Sequence, residues 1–133
     1  MTGLLKSWHQ LATISAVVLI AACATYGEQP PQAAAPAKPA AGGVMTNAKG
    51  MTLYTYDKDT AGQSNCYSIC AEYWPPLLAD ATSTPSGDLT LITRSDGKKQ
   101  WAENGKPLYT FAEDEKAGDV NGDNYDGIWH VVK

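Results

Sequence analysis

Three groups of residues in this chain have types and spacings from which chemistry can be built. Cys66 and Cys70 stand four apart. Two thiols at that spacing can close a small disulfide, cycle as a redox pair or hold a soft metal. The stretch Asp119-Val120-Asn121-Gly122-Asp123 places side-chain oxygens at alternate positions, as the opening of a calcium loop does. The pattern Tyr-x-aromatic-x-x-Asp occurs twice, as Tyr54, Tyr56 and Asp59 and as Tyr109, Phe111 and Asp114. On a strand, the two aromatic side chains of each copy share one face. They can build a core or a binding platform for a glycan, a quinone or a peptide. Each aspartate falls where its strand ends and can accept backbone N–H groups of the following turn.

The compartment decides what the cysteines do, and the N-terminus indicates the compartment. Residues 1–10 carry Lys6 and no acid, and residues 11–22 form an apolar run. That run is too short to span a bilayer and suits a signal peptide. It ends Ile20-Ala21-Ala22-Cys23. Small residues before a cysteine resemble the lipobox of bacterial lipoproteins, so residues 1–22 are expected to be removed and Cys23 to carry lipid. Ala24, with no acid after the cysteine, favours the outer membrane facing the periplasm if the organism has two membranes. Residues 23–43 then form the lipidated cysteine and a disordered tether. Residues 24–43 hold seven alanines and four prolines without Val, Ile, Leu or Phe, too little apolar surface to offset ordering entropy.

In that oxidising setting a Cys66–Cys70 disulfide is the expected state. A redox-active pair is the sharper alternative, but the usual redox spacing is Cys-x-x-Cys, and no basic residue lies between Lys58 and Arg94 to lower a thiol pKa. The acidic stretch from Glu113 to Asp126 holds six acids and Lys116. Its charge of −5 equals that of residues 23–133, nine bases against 14 acids. Asp119, Asn121 and Asp123 are weak calcium candidates, because Asn124 and His130 stand where the loop needs glycine and a bidentate glutamate. A solvated loop with Asx turns is the simpler reading. His130 with Met45 and Met51 would suit copper, but three scattered residues make a poor case. The acidic balance, with pI near 5.0, excludes a nucleic-acid binder. No glycine fingerprint of a nucleotide site is present.

The elements that must position these residues read as β. The chain matches itself at an offset of 55, which puts Gly50 on Gly105, Leu53 to Thr55 on Leu108 to Thr110, Asp59 on Asp114 and Trp74 on Trp129. Residues of about 45–78 and 100–133 are thus two copies, and 44–133 is one domain. We expect a mainly β fold of two duplicated, hairpin-rich halves packed about a pseudo-twofold axis, with at most one short helix. Val44 to Tyr56 reads as a hairpin, Leu89 to Thr93 and Lys99 to Trp101 as strands, and Asn104-Gly105 as a tight turn leading into Lys106 to Phe111. Ile128 to Val132 closes the chain. Ser64 to Tyr73 reads as the helix, with Ser64 as N-cap and Pro75-Pro76 as the stop.

Several of these segments together resemble a known family. They are the two copies Tyr54-Thr55-Tyr56-Asp57-Lys58-Asp59 and Tyr109-Thr110-Phe111-Ala112-Glu113-Asp114, and Cys66-x-x-x-Cys70 leading into Trp74-Pro75-Pro76-Leu77. Asp96-Gly97 before Gln100-Trp101, Gly105-Lys106-Pro107-Leu108-Tyr109 and the closing Gly127-Ile128-Trp129-His130-Val131-Val132 belong to the same set. The chain resembles the predicted bacterial lipoproteins named for the Tyr-x-(Phe/Trp/Tyr)-x-x-Asp motif, a secreted repeat of unknown function. The resemblance covers residues 44–133 and implies an envelope lipoprotein with a β-rich duplicated domain. It implies no activity. We therefore expect a non-enzymatic binding or structural module with no cofactor beyond possible calcium. Its expected partners are the membrane, through the lipid, and an envelope protein or small ligand. The alternative is a periplasmic metal-handling or thiol-redox protein.

Overall fold

The computed structural model describes residues 37–133. The signal segment, Cys23 and most of the tether lie outside the described residues. Among the described residues, seven short strands, one helix and one 3-10 turn follow each other. The strands are β1 (Lys38–Pro39), β2 (Met45–Thr46), β3 (Tyr54–Tyr56), β4 (Leu89–Thr93), β5 (Lys99–Glu103), β6 (Lys106–Pro107) and β7 (Trp129–Val131). Helix α1 spans Ile69–Tyr73, and the 3-10 turn spans Tyr125–Gly127. β1 pairs with β2, β3 with β7, and β4-β5-β6 form an antiparallel meander. The fold is mainly β, in two repeats. None of the described helices is long and apolar enough to cross a membrane.

The tether is shorter than its composition suggests. Lys38 and Pro39 pair with Thr46 and Met45, and Ala37 is buried against Leu53, Trp101, Leu108 and Val132. The expected disorder through residue 43 is corrected for residues 37–43. The Gly42-Gly43 pair, both at positive φ, lets the chain reverse into β2. At the turn predicted from the sequence, Asn104 and Gly105 have φ of 48° and 78° and join β5 to β6, as a two-residue hairpin requires.

The helix is also shorter than expected. It begins after Ser68, whose φ of 52° is non-helical, and Ser64 does not cap it. The Ser64 hydroxyl is instead buried, 2.8 Å from the hydroxyl of Tyr109. Buried polar groups must find partners, and Ser64 finds one in the other half of the molecule.

The halves meet on a pseudo-twofold axis that backbone hydrogen bonds make explicit. The N–H of Tyr54 donates to the carbonyl of Tyr109 at 2.8 Å, and that of Tyr109 returns to Tyr54 at 3.0 Å. Residues 55 apart then exchange roles. Val132 donates to Leu53 as Leu77 donates to Leu108, and Asp57 donates to Ile128 as Ala112 donates to Tyr73. Each half thus supplies strand edges that the other completes. Two apolar clusters fill the interior. Tyr54, Trp74, Tyr109, Phe111 and Trp129 gather at the axis with Cys66. The second cluster holds Leu53, Leu108, Trp101 and Val132 beneath the hairpins.

Candidate functional site

The paired motif interlocks across the axis. Tyr54 and Tyr109 are fully buried. The Tyr54 hydroxyl donates to Oδ2 of Asp114 at 2.7 Å, and the Tyr109 hydroxyl donates to Oδ2 of Asp59 at 2.7 Å. The second carboxylate oxygen of each aspartate holds its own loop. Asp59 Oδ1 accepts the N–H of Asn65 at 2.7 Å, and Asp114 Oδ1 accepts that of Asn121 at 2.9 Å. The asparagine amides return to the carbonyls of Lys58 and Glu113. Each aspartate therefore ties its local turn, as expected, and also the tyrosine of the opposite copy. Burial and the acceptor carboxylate push both phenols well above the usual tyrosine range. Burial raises the Asp59 carboxyl, against the hydrogen bonds from Tyr109 and Asn65 that lower it.

The other aromatics stack on one another. Trp74 and Trp129, equivalent residues of the two copies, lie 3.8 Å apart between ring centres, with planes at 4°. Tyr56 stacks on the outside of Trp129 and Phe111 on Trp74, each at 4.2 Å. Four rings thus run across the axis in one pile. Such contacts add about 0.5–1.5 kcal/mol per pair beyond area burial. Trp74, Trp129 and Phe111 are buried, so the motif aromatics serve the core.

Cys66 and Cys70 form a disulfide. Cys66 is fully buried, and its carbonyl accepts a hydrogen bond from Arg94 Nη2 at 2.8 Å. Arg94, distant in sequence, is itself buried. Its Nη1 donates to Ser64 at 2.9 Å and to Gln100 at 2.6 Å. A continuous chain of hydrogen bonds therefore runs from Arg94 through Ser64 and Tyr109 to the accepting carboxylate of Asp59. Chains of this kind polarise and strengthen their members.

The acidic stretch is occupied by local bonds. Asp119 accepts the N–H groups of Glu115 and Lys116 and pairs with Lys116 Nζ at 2.7 Å, which holds its carboxyl below the usual range. Asp123 accepts the N–H of Val131, and the Asn121 amide donates to Glu113. The three calcium candidates therefore have separate partners. Among the described residues, no three His, Cys, Asp or Glu side chains come together as a metal site. His130 bonds Asp57 at 2.8 Å, while Met45 packs beside the second core cluster.

A groove that no sequence motif marks lies on the seam between the halves, about 470 Å³ in volume. Its floor is the exposed margin of the four-ring stack and Cys70. Ile69 and Tyr73 from α1 and Tyr125 and Ile128 from the equivalent region of the second copy form its walls. Lys58, Glu113 and Asp126 stand at its rim. Of the five strongly exposed large apolar side chains among the described residues, Ile69 (68%), Tyr73 (53%) and Tyr125 (43%) lie here. Local structure explains their exposure. The disulfide and the non-helical Ser68, at positive φ, hold α1 to a short segment on the surface. The 3-10 turn holds Tyr125 edge-on to Trp74, its ring centre 5.7 Å away. Gly122 permits this packing, because a Cβ there would lie 2.7 Å from Trp74 Cη2. Aromatic residues read as core in the sequence, so the exposure of Tyr73 and Tyr125 had no signal there.

The model of a family described as a secreted repeat of unknown function matches residues 36–78 and 90–133. The matches cover most of the chain and both halves of the fold, so the chain belongs to that family. No curated protein and no solved structure matches it.

Proposed function

We propose that this secreted repeat protein is an envelope lipoprotein, anchored through lipid on Cys23, that acts as a non-enzymatic binding module. The family makes it an extracellular or envelope protein. The lipobox-like Ile20-Ala21-Ala22-Cys23 supports the anchor. One lipid chain holds a protein only weakly, whereas two or three hold it firmly.

The seam groove carries the binding reading. A domain of about 90 residues that can bury its aromatics keeps Tyr73 and Tyr125 exposed around one concavity. Clustered exposed apolar side chains rimmed by charge mark interaction sites. Lys58, Glu113 and Asp126 are exposed at the rim, while the floor is aromatic. That division suits holding a ligand.

The test is a thermal-shift panel on the full chain with glycan fragments, quinones, organic cations, short peptides, calcium and copper. A ligand of the folded state raises the melting temperature by mass action. We expect at least one compound to do so, and the combined change of Tyr73→Ala and Tyr125→Ala to abolish the rise. A panel without any shift, or a shift indifferent to both substitutions, would refute the groove as the site. Palmitate labelling lost in Cys23→Ala tests the anchor separately.

A further inference from the structure

We infer that the seam groove takes a soluble organic cation, specifically a quaternary ammonium group, seated on its acidic side. The inference rests on the reading of the groove as the binding site and adds the chemistry of the ligand.

Four observations narrow that chemistry. First, six aromatic side chains line the groove together with Lys58, Glu113 and Asp126. Aromatic faces attract a cation seated over them. Second, Glu113 and Asp126 are exposed and take part in no ion pair among the described residues. An uncharged apolar ligand seated against them would strip water from two carboxylates and return nothing. Third, these two belong to the stretch of charge −5, whose field draws cations and repels anions. Fourth, the ring of Tyr73 stacks on no other ring among the described residues, and Tyr125 is edge-on to Trp74, so both are open to a ligand.

A quaternary ammonium group answers all four conditions. Its surface is methyl groups, so it needs no hydrogen-bond acceptor. Its charge is met by aromatic faces and by carboxylates together. The seam supplies a direction as well. Lys58 and Glu113 stand 55 apart, at equivalent places in the two copies. The rim is thus positive on one half and negative on the other, and the cation belongs with Glu113 and Asp126.

Calorimetric titration of the full chain in a nonionic detergent tests this. The probes are choline, tetramethylammonium and 3,3-dimethyl-1-butanol, the uncharged analogue of choline with carbon in place of nitrogen. We expect both cations to bind and the alcohol to bind more weakly by about fivefold or more. Tyr73→Ala, and the pair Glu113→Gln with Asp126→Asn, should each weaken choline by about fivefold. All three side chains are exposed, so the melting temperature without ligand should stay unchanged. Equal affinity for choline and the alcohol would overturn the ammonium assignment and leave an apolar binding groove. Choline binding that ignores the substitutions would place the site elsewhere and also overturn it. No binding of any probe would overturn the assignment, while the wider panel decides whether the groove binds anything.

Discussion

Tyr54 belongs to the first copy of the repeat and Asp114 to the second, and the hydroxyl of one donates to the carboxylate of the other across 2.7 Å. Tyr109 and Asp59 repeat the bond in the opposite sense. The motif that appears within each copy therefore works between copies. Its tyrosine belongs to one half and its aspartate fastens the other.

Removing one hydroxyl should be costly. Tyr54→Phe leaves Oδ2 of Asp114 without its donor and takes from the Gly122 N–H its acceptor 3.3 Å away. An unsatisfied buried group costs about 1–3 kcal/mol. Urea melts should show Tyr54→Phe and Tyr109→Phe each destabilised by that amount, and losses below about 0.5 kcal/mol would argue that the bonds are not formed.

Alkali should unfold the domain. Both buried phenols have pKa values raised above the ordinary tyrosine value. Above pH 10 the unfolded chain loses these two protons while the folded chain keeps them. Their contribution is complete below the unfolded pKa and is lost as pH rises toward the folded one. The slope approaches about 2.7 kcal/mol per pH unit for two groups. Tyrosinate absorbance should show two tyrosines ionising only together with unfolding. Seven independent titrations in a folded chain would contradict this.

Gly122→Ala should disrupt the ring pile. The new Cβ would meet Trp74 at 2.7 and 2.9 Å and Tyr54 at 3.0 Å, all on buried rings. Overpacking of this kind costs about 1–3 kcal/mol. We expect a lower denaturation midpoint and an altered near-ultraviolet dichroism of the stacked tryptophans, whereas a spectrum and midpoint like the parent's would count against the packing.

Reduction of Cys66–Cys70 should weaken the domain without unfolding it. Opening so small a loop loses about 2 kcal/mol in the chain-entropy picture. The segment keeps its other ties, from Arg94 to the Cys66 carbonyl and from Asn65 to Asp59. A reduced protein that still melts cooperatively at a lower temperature is expected, and complete unfolding under mild reductant would show these ties to be too weak.

The duplication was legible because identical residues recur at one offset, and the hairpin at Asn104-Gly105 because both residues tolerate positive φ. The exchange of Tyr54 and Tyr109 between aspartates was not, because periodicity reports which face a side chain takes and not which half it reaches. Arg94 was invisible for a related reason. A single arginine in a polar turn reads as surface, yet here it is buried against Ser64, Gln100 and the Cys66 carbonyl. The end of the tether was hidden by its composition. Ala37, Lys38 and Pro39 look like linker, and only pairing with Met45 and Thr46 makes them structure. The groove escaped because it is formed by exposure, which depends on the short α1 and its disulfide.

Photo-crosslinking in the intact envelope tests the central claim most directly. A benzophenone amino acid would replace Tyr73 in the groove or, as a control, Leu78, which is comparably exposed but does not line the groove. The account predicts an adduct of defined mass from position 73 and none from position 78. Equal labelling at both positions, or none at 73, would contradict a binding site on the seam.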